Sequence, residues 1–290
     1  MDILIIGDTA REHALAWKFA ESRRTGALYC TSPYSGVDTL CTRIEGSPAD
    51  WRASHPVDLV VGEDDACLYH ASFVCPEDAV RVTVDCLTDG NTIVPLPAVR
   101  VFYDRAGEAF AAETPARAYT GDMAHRAYYR HFVPHIRAHG RKSSGLSGVI
   151  RFEMAICEDE PELLSVSRGF GELDALALLP TLRCELAPLL TACADGTLTR
   201  EMVRLNMQSC AVLMLGAEQP GAWVRGLADV AKNTGVFMGA VQFQDGRLLT
   251  AGRRALFVCG RGQDVHTAVR AARQGAEKIM FDGIIRPSLA

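Results

Sequence analysis

At 290 residues, 48% hydrophobic and 22% charged, the chain can hold two or three small domains and has the balance of a soluble globular protein. Its net charge of −5 argues against the basic face that sequence-independent nucleic-acid binding requires. No apolar run approaches the roughly 18–20 residues that span a bilayer, so a membrane partner is not expected.

The opening, Met1-Asp2-Ile3-Leu4-Ile5-Ile6-Gly7, carries an acid where a signal peptide carries basic residues. It reads as a first strand, and the protein as cytoplasmic. Gly7-Asp8-Thr9 makes a turn, with Asp8 or Thr9 able to cap the helix that follows. That helix is expected over residues 10–23, where Ala14, Leu15, Trp17, Phe19 and Ala20 form an apolar stripe. Residues 27–31 and 59–61 read as further parallel strands, so the first 70 or so residues suggest an open α/β unit. Ligands of such a unit are expected at the carboxyl ends of its strands.

From residue 79 the texture changes. Residues 80–84 alternate, Asp89-Gly90-Asn91 turns, and residues 92–96 answer, which is the pattern of a hairpin. Residues 122–139 read as a helix interrupted at Pro134. A strand pair is expected over 149–156 and 162–166, then a helix in two pieces over 175–193, broken around Pro180. The tail offers strands at 209–215, 236–244 with Asp245-Gly246 as a turn, and 255–258. A last helix over 265–280 starts from the cap Asp264.

Ten cysteines include no CxxC pair, so a zinc ribbon is not expected, and buried free thiols are. Cys67 and Cys75 have no base placed beside them by the sequence and read as structural. His131, His135 and His139 repeat at helical spacing, but Pro134 intervenes and no HExxH carboxylate accompanies them. They read as surface histidines. Neither a GxSxG elbow nor a phosphate-binding P-loop is present.

Gly7-Asp8-Thr9-Ala10-Arg11-Glu12-His13-Ala14-Leu15-Ala16-Trp17-Lys18 resembles the opening GNGGREHALAWK of phosphoribosylamine–glycine ligases, members of the ATP-grasp superfamily. Asp58-Leu59-Val60-Val61-Gly62-Glu63-Asp64-Asp65 is similar to that family's DLVVVGPED, and Asp89-Gly90-Asn91-Thr92-Ile93-Val94-Pro95-Leu96 to its DGKTVLPL. Ser147-Gly148-Val149-Ile150, Gly169-Phe170-Gly171-Glu172, Leu179-Pro180-Thr181-Leu182 and Leu249-Thr250-Ala251-Gly252-Arg253-Arg254 continue the likeness in order. The resemblance implies an α/β plus α+β fold in three parts. These are a Rossmann-like, pre-ATP-grasp unit over 1–70, a remnant ATP-grasp domain without lid over 71–205, and a small carboxy-terminal α+β domain over 206–290.

The departures from the family are as informative. Between Asp65 and about Ala71 the chain jumps from the first unit into the second half of the ATP-grasp region, so the lid over ATP and its phosphate-binding lysines are expected to be missing. Where the family's IEFNCRFGDPE holds magnesium with an acid and an amide, Ser165 and Ser167 stand instead. Loss of ATP and magnesium as cofactors, and of ATP-driven ligation, is therefore expected. Glu153 and Glu172 remain weak metal candidates, with Glu153 read as a strand residue on a solvated face. In the family the first loop and helix lie near the phosphoribosyl group, which makes Thr9, Arg11, Glu12, His13 and Asp64 the candidate ligand residues here. The glycine-rich loop TGPNTGGMGAYSP has become residues 106–115, which puts the family's amino-acid pocket in doubt. Two functions fit: an enzyme acting without ATP on a small phosphorylated or amino-acid-like molecule in nucleotide-like or natural-product metabolism, or a non-catalytic protein binding a ligand or partner. A residual ATP-dependent ligase is the third. The partner is a small molecule, with a homo-oligomer or partner enzyme left open.

Overall fold

The computed structural model describes residues 1–62, 67–73, 75–140, 146–232 and 234–287. The first unit is the expected parallel one. Strands β1 (Ile3–Ile5), β2 (Leu28–Cys30), β3 (Thr42–Arg43) and β4 (Leu59–Val61) lie in the order β3-β2-β1-β4, every pair parallel. β1 is wholly buried, as its unbroken apolar run requires of a strand covered on both faces. Helix α1 (Ala10–Ala20) follows it, and α2 (Pro48–Ser54) starts from the Ser47 cap before β4.

The rest of the chain is organised by one antiparallel sheet. Its strands are β5 (Cys67–His70), β6 (Val80–Thr88), β7 (Ile93–Pro95), β8 (Val99–Tyr103), β9 (Ala109–Thr114), β10 (Gly148–Cys157), β11 (Glu160–Arg168), β12 (Ser209–Ala217), β13 (Thr234–Met238), β16 (Arg254–Gly262) and β17 (Ile284–Ile285). The main path runs β13-β16-β12-β9-β8-β6-β10-β11-β5, with β7 paired to β6 and β17 to β12. Hairpin β14 (Val241–Gln244) and β15 (Arg247–Thr250) stands apart, joined by the expected Asp245-Gly246 turn. The sheet does not pause at residue 205, because β9 pairs with β12 in the register Cys210↔Thr114.

Helices cover both faces. The back face, built from Val82, Val84, Ile150, Phe152 and Met154, is covered by Ala127, Phe132 and Ile136. These belong to α3 (Gly121–Ala127), a π-helical turn over Tyr128–Phe132, and α4 (Val133–Gly140). On the front lie α5 (Glu172–Leu178) and α6 (Leu186–Asp195), which share one core with α1. Helix α7 (Val265–Lys278) begins at the Asp264 cap, as expected, and packs on β16 and β12. No helix among the described residues is long and apolar enough to cross a membrane.

Three local readings need correction. The helix of residues 122–139 changes geometry at Tyr128–Phe132, not at Pro134. Pro134 stands just past that turn inside continuous helical backbone, where its missing N–H removes one bond of the ladder, so the irregularity precedes the proline by up to a turn and a half. His131 is buried, its Nε2 3.0 Å from the Pro161 carbonyl, and is not a surface residue. The cysteines are free, but only Cys30, Cys86, Cys193, Cys210 and Cys259 are buried, and Cys67 is exposed.

Candidate functional site: an arginine-lined cleft beside α1

The turn into α1 is built around Glu12. Thr9 caps the helix, and the Glu12 carboxylate accepts from Thr9 N and Thr9 Oγ1, each at 2.7 Å, completing a capping box. Glu12 is fully buried and Gly7 (φ +145°) leaves it room, since a Cβ there would strike the carboxylate. Gly62 (φ +85°), just past β4, is required in the same way, since its Cβ would strike the Ile6 carbonyl.

The amino end of α1 is already supplied with carboxylate. Besides the bonds to Thr9, Arg11 N donates to Thr9 Oγ1 at 3.2 Å and Ala10 N to Glu172 Oε1 at 3.1 Å. The other Glu172 oxygen accepts from Arg254 Nε at 2.8 Å, and Arg254 Nη1 donates to the Ala109 carbonyl at 2.8 Å. One side chain thus ties α1 to β16.

The Arg11 guanidinium bridges from the cap to the chain after β11. Its Nε donates to Glu12 Oε1 at 2.6 Å and its Nη1 to the Phe170 carbonyl at 3.1 Å. There it lines a cavity of about 310 Å³ whose wall includes Val61 and Gly62, Gly148 and Val149, and Phe170. Arg168, at the end of β11, lies on the same wall. The cavity therefore lies at the carboxyl end of β4, between the two sheets, where open α/β units bind ligands. Among the described residues lining it there is no His, Cys, Asp or Glu.

Of the five residues expected from sequence to touch ligand, the geometry brings only Arg11 to this cavity. Thr9 and Glu12 build the cap. His13 faces the other way: its Nδ1 accepts from Met238 N at 2.9 Å, and its ring meets Phe237 edge-on with centroids 5.5 Å apart. Burial pushes its pKa down to about 4. Asp64 lies outside the described residues. Arg168 was missed, although it stands next to the Gly169-Phe170-Gly171 run that carries part of the resemblance, and that position was its one signal.

A separate polar network occupies the front of the large sheet. Register sets Asp85 opposite Arg151 and Thr83 opposite Glu153. Arg151 Nε pairs with Asp174 Oδ2 at 2.5 Å, and Thr83 Oγ1 donates to Asp174 Oδ1 at 2.5 Å. Arg81 pairs with Glu153, which also accepts from Tyr103 Oη at 3.1 Å and Ser165 Oγ at 3.1 Å. Glu153 is therefore not on a solvated face, because Arg81, Tyr103 and Ser165 of the neighbouring strands close around its carboxylate. Burial works against its charge, but Arg151 and Arg81 prevail and hold its pKa below the ordinary value. Asp85 is the reverse case. It is buried without a hydrogen-bond partner for either oxygen among the described residues, and burial with Asp174 nearby pushes its carboxyl well up. No cluster of three or more His, Cys, Asp or Glu among the described residues could hold a metal.

Residues 1–76 match the family described as Phosphoribosylglycinamide synthetase, N domain. The chain is 27% identical over 219 residues to phosphoribosylamine–glycine ligase of Rhizobium meliloti, covering 71% of this chain and 52% of that protein. It is 31% identical over 186 residues to the enzyme of Phenylobacterium zucineum, covering 61% and 44%. Among solved structures, phosphoribosylamine–glycine ligase of Thermotoga maritima superposes with a TM-score of 0.81 at 14% identity, covering 99% of each chain. The biotin carboxylase domain of a thermophilic 2-oxoglutarate carboxylase superposes with a TM-score of 0.56 over 72% of this chain and 48% of that one, also at 14% identity.

The fold is the one these two solved structures share, a parallel α/β unit followed by a large antiparallel sheet. In sequence the chain is similar to phosphoribosylamine–glycine ligases, and its first 76 residues match the amino-terminal domain of that family. It spans about half the length of the curated relatives it matches.

Proposed function

We infer that this ligase-derived chain binds a small phosphorylated molecule of nucleotide-like metabolism in the Arg11–Arg168 cleft and does not use ATP. The observation that carries the reading is that two arginines, Arg11 and Arg168, line one cavity at the carboxyl end of β4. A planar guanidinium offers paired donors matched to phosphate or carboxylate oxygens, and the buried Glu12 carboxylate beside Arg11 offsets one of the two charges. The sequence left enzyme and binder open. The wall of the cleft favours a binder, since its described residues include no acid, imidazole or thiol to act as base or nucleophile.

The group that the family would require fits poorly. Ser165 and Ser167 stand where magnesium ligands would be, and the Ser165 hydroxyl is bonded to Glu153. Arg81 and Arg151, the cations on the sheet front, are each paired with a carboxylate. Arg11 is paired with Glu12 in the same way, so what stands against ATP is the loss of oxygen donors at Ser165 and Ser167, and no step through ATP is derived.

The test is calorimetry on the intact chain with ribose 5-phosphate, then with ATP and magnesium. The sugar phosphate is expected to bind, and Arg168→Gln to weaken it by about 1.5–3 kcal/mol, the range for a hydrogen bond to a charged group. Arg168 is the better probe because Arg11→Ala would also strip a partner from the buried Glu12. Tight magnesium-dependent ATP binding, or a sugar phosphate indifferent to Arg168, would sink the reading.

A further inference from the structure

The back of the large sheet holds a second cavity, of about 600 Å³, within the usual size range for a small-molecule site. Val84 lines it, whereas Thr83 and Asp85 belong to the polar network on the front, as alternation along β6 demands. It is therefore distinct from the cleft at Arg11.

Its walls differ in kind. One is the chain leaving β7, stiffened by Pro95 and Pro97. The other is aromatic, made by Tyr119, His125, Tyr128, Tyr129 and Phe132. Tyr128, Tyr129 and Phe132 stand on the π-helical turn, a geometry that recurs at functional sites. The His125 and Tyr129 rings lie 4.9 Å apart, and Tyr129 is 62% exposed, so these rings are not consumed in packing the core.

One charged group, Arg200, stands at the cavity. Tyr119 gives the cavity its ring alone, since its hydroxyl is buried on the side of Cys86 and out of reach of a ligand. Arg200 donates from Nη2 to Tyr128 Oη at 3.4 Å and makes no salt bridge among the described residues.

We propose that this cavity binds a planar aromatic acid, its ring against Tyr128 and Tyr129 and its acidic group on Arg200. An aliphatic acid would leave the rings unused, and a neutral ring would leave the cation unused. A polyanion would exceed the single guanidinium present. Face or edge contacts with tyrosine and a charge-assisted bond to arginine are the terms that such a ligand would satisfy together.

The experiment titrates the intact chain with 2-naphthoate and, as the uncharged control, with 2-naphthalenemethanol. Saturable binding of 2-naphthoate is expected, weakened at least tenfold by Arg200→Ala and by Tyr129→Ala and unchanged by Arg168→Gln. Both of the first two positions are exposed, so the variants should fold, which circular dichroism would check. The alcohol should bind the wild type at least tenfold more weakly than the acid. Absence of saturable 2-naphthoate binding at millimolar concentration would overturn the proposal. So would binding indifferent to Arg200 and Tyr129, binding lost in Arg168→Gln, or equal affinity for acid and alcohol.

Discussion

His13 shows how a ring can support a structure and make it sensitive to acid. The Met238 amide needs its Nδ1 lone pair, so the imidazole must stay neutral in that role. The unfolded chain takes up a proton below about pH 6.5, which the folded state refuses until about pH 4. Stability is therefore full above the higher value and falls through that interval, by at most about 3 kcal/mol for a shift of this size. Asn at position 13 can accept from Met238 without titrating. His13→Asn should lose less stability than wild type between pH 7 and pH 5 in urea unfolding, and an unchanged slope would contradict the assignment. Asp85 has the opposite sign. Its folded carboxyl holds a proton that the unfolded chain releases, so stability declines as pH rises above the ordinary aspartate range. Asp85→Asn is expected to raise the melting temperature more at pH 8 than at pH 5. A variant less stable at pH 8 would show that the charge is needed beside Arg151.

At the scale of elements, α1 is the joint of the molecule. Thr9→Ala removes its cap and should cost about 1 kcal/mol of stability, read by chemical unfolding. Glu172→Gln tests the link from α1 to β16. It should leave Arg254 half-buried without its carboxylate and speed hydrogen exchange at the Ala10 amide, whereas unaltered exchange would make the link incidental. The sequence made α1 legible because cap, apolar stripe and turn residues agree. The β6–β7 hairpin and the cap of α7 were legible for the same reason. β9 was not, since Ala109-Phe110-Ala111-Ala112-Glu113-Thr114 is rich in alanine and its place is fixed by β8 and β12 on either side. Glu153 was misread because alternation identifies a face but not what lies over it. Arg168 escaped because only folding brings the end of β11 to the end of β4.

At the scale of the whole molecule, the continuous sheet makes the middle and last thirds one mechanical unit. β12 is buried along its entire length between β9 and β16, so neither third keeps its central pairing without the other. Heat or urea should unfold the two together. Tryptophan emission from Trp223, in the last third, should change at the same midpoint as far-ultraviolet circular dichroism in a variant with Trp17 and Trp51 replaced by Phe. Separate midpoints would mean that the β9–β12 seam is weak.

That seam also has a history within each molecule. β9 ends at Thr114 and its partner β12 begins at Ser209, so a ribosome must add about a hundred residues before the edge is closed. At about 5–20 residues per second, the nascent chain carries an open strand edge for roughly 5–20 s. Ala111 and Ala112 lie on that edge, flanked by the Arg100–Glu113 pair at 3.7 Å, whose charges are the kind that discourage another strand from adding. The pair therefore protects the molecule before it is complete.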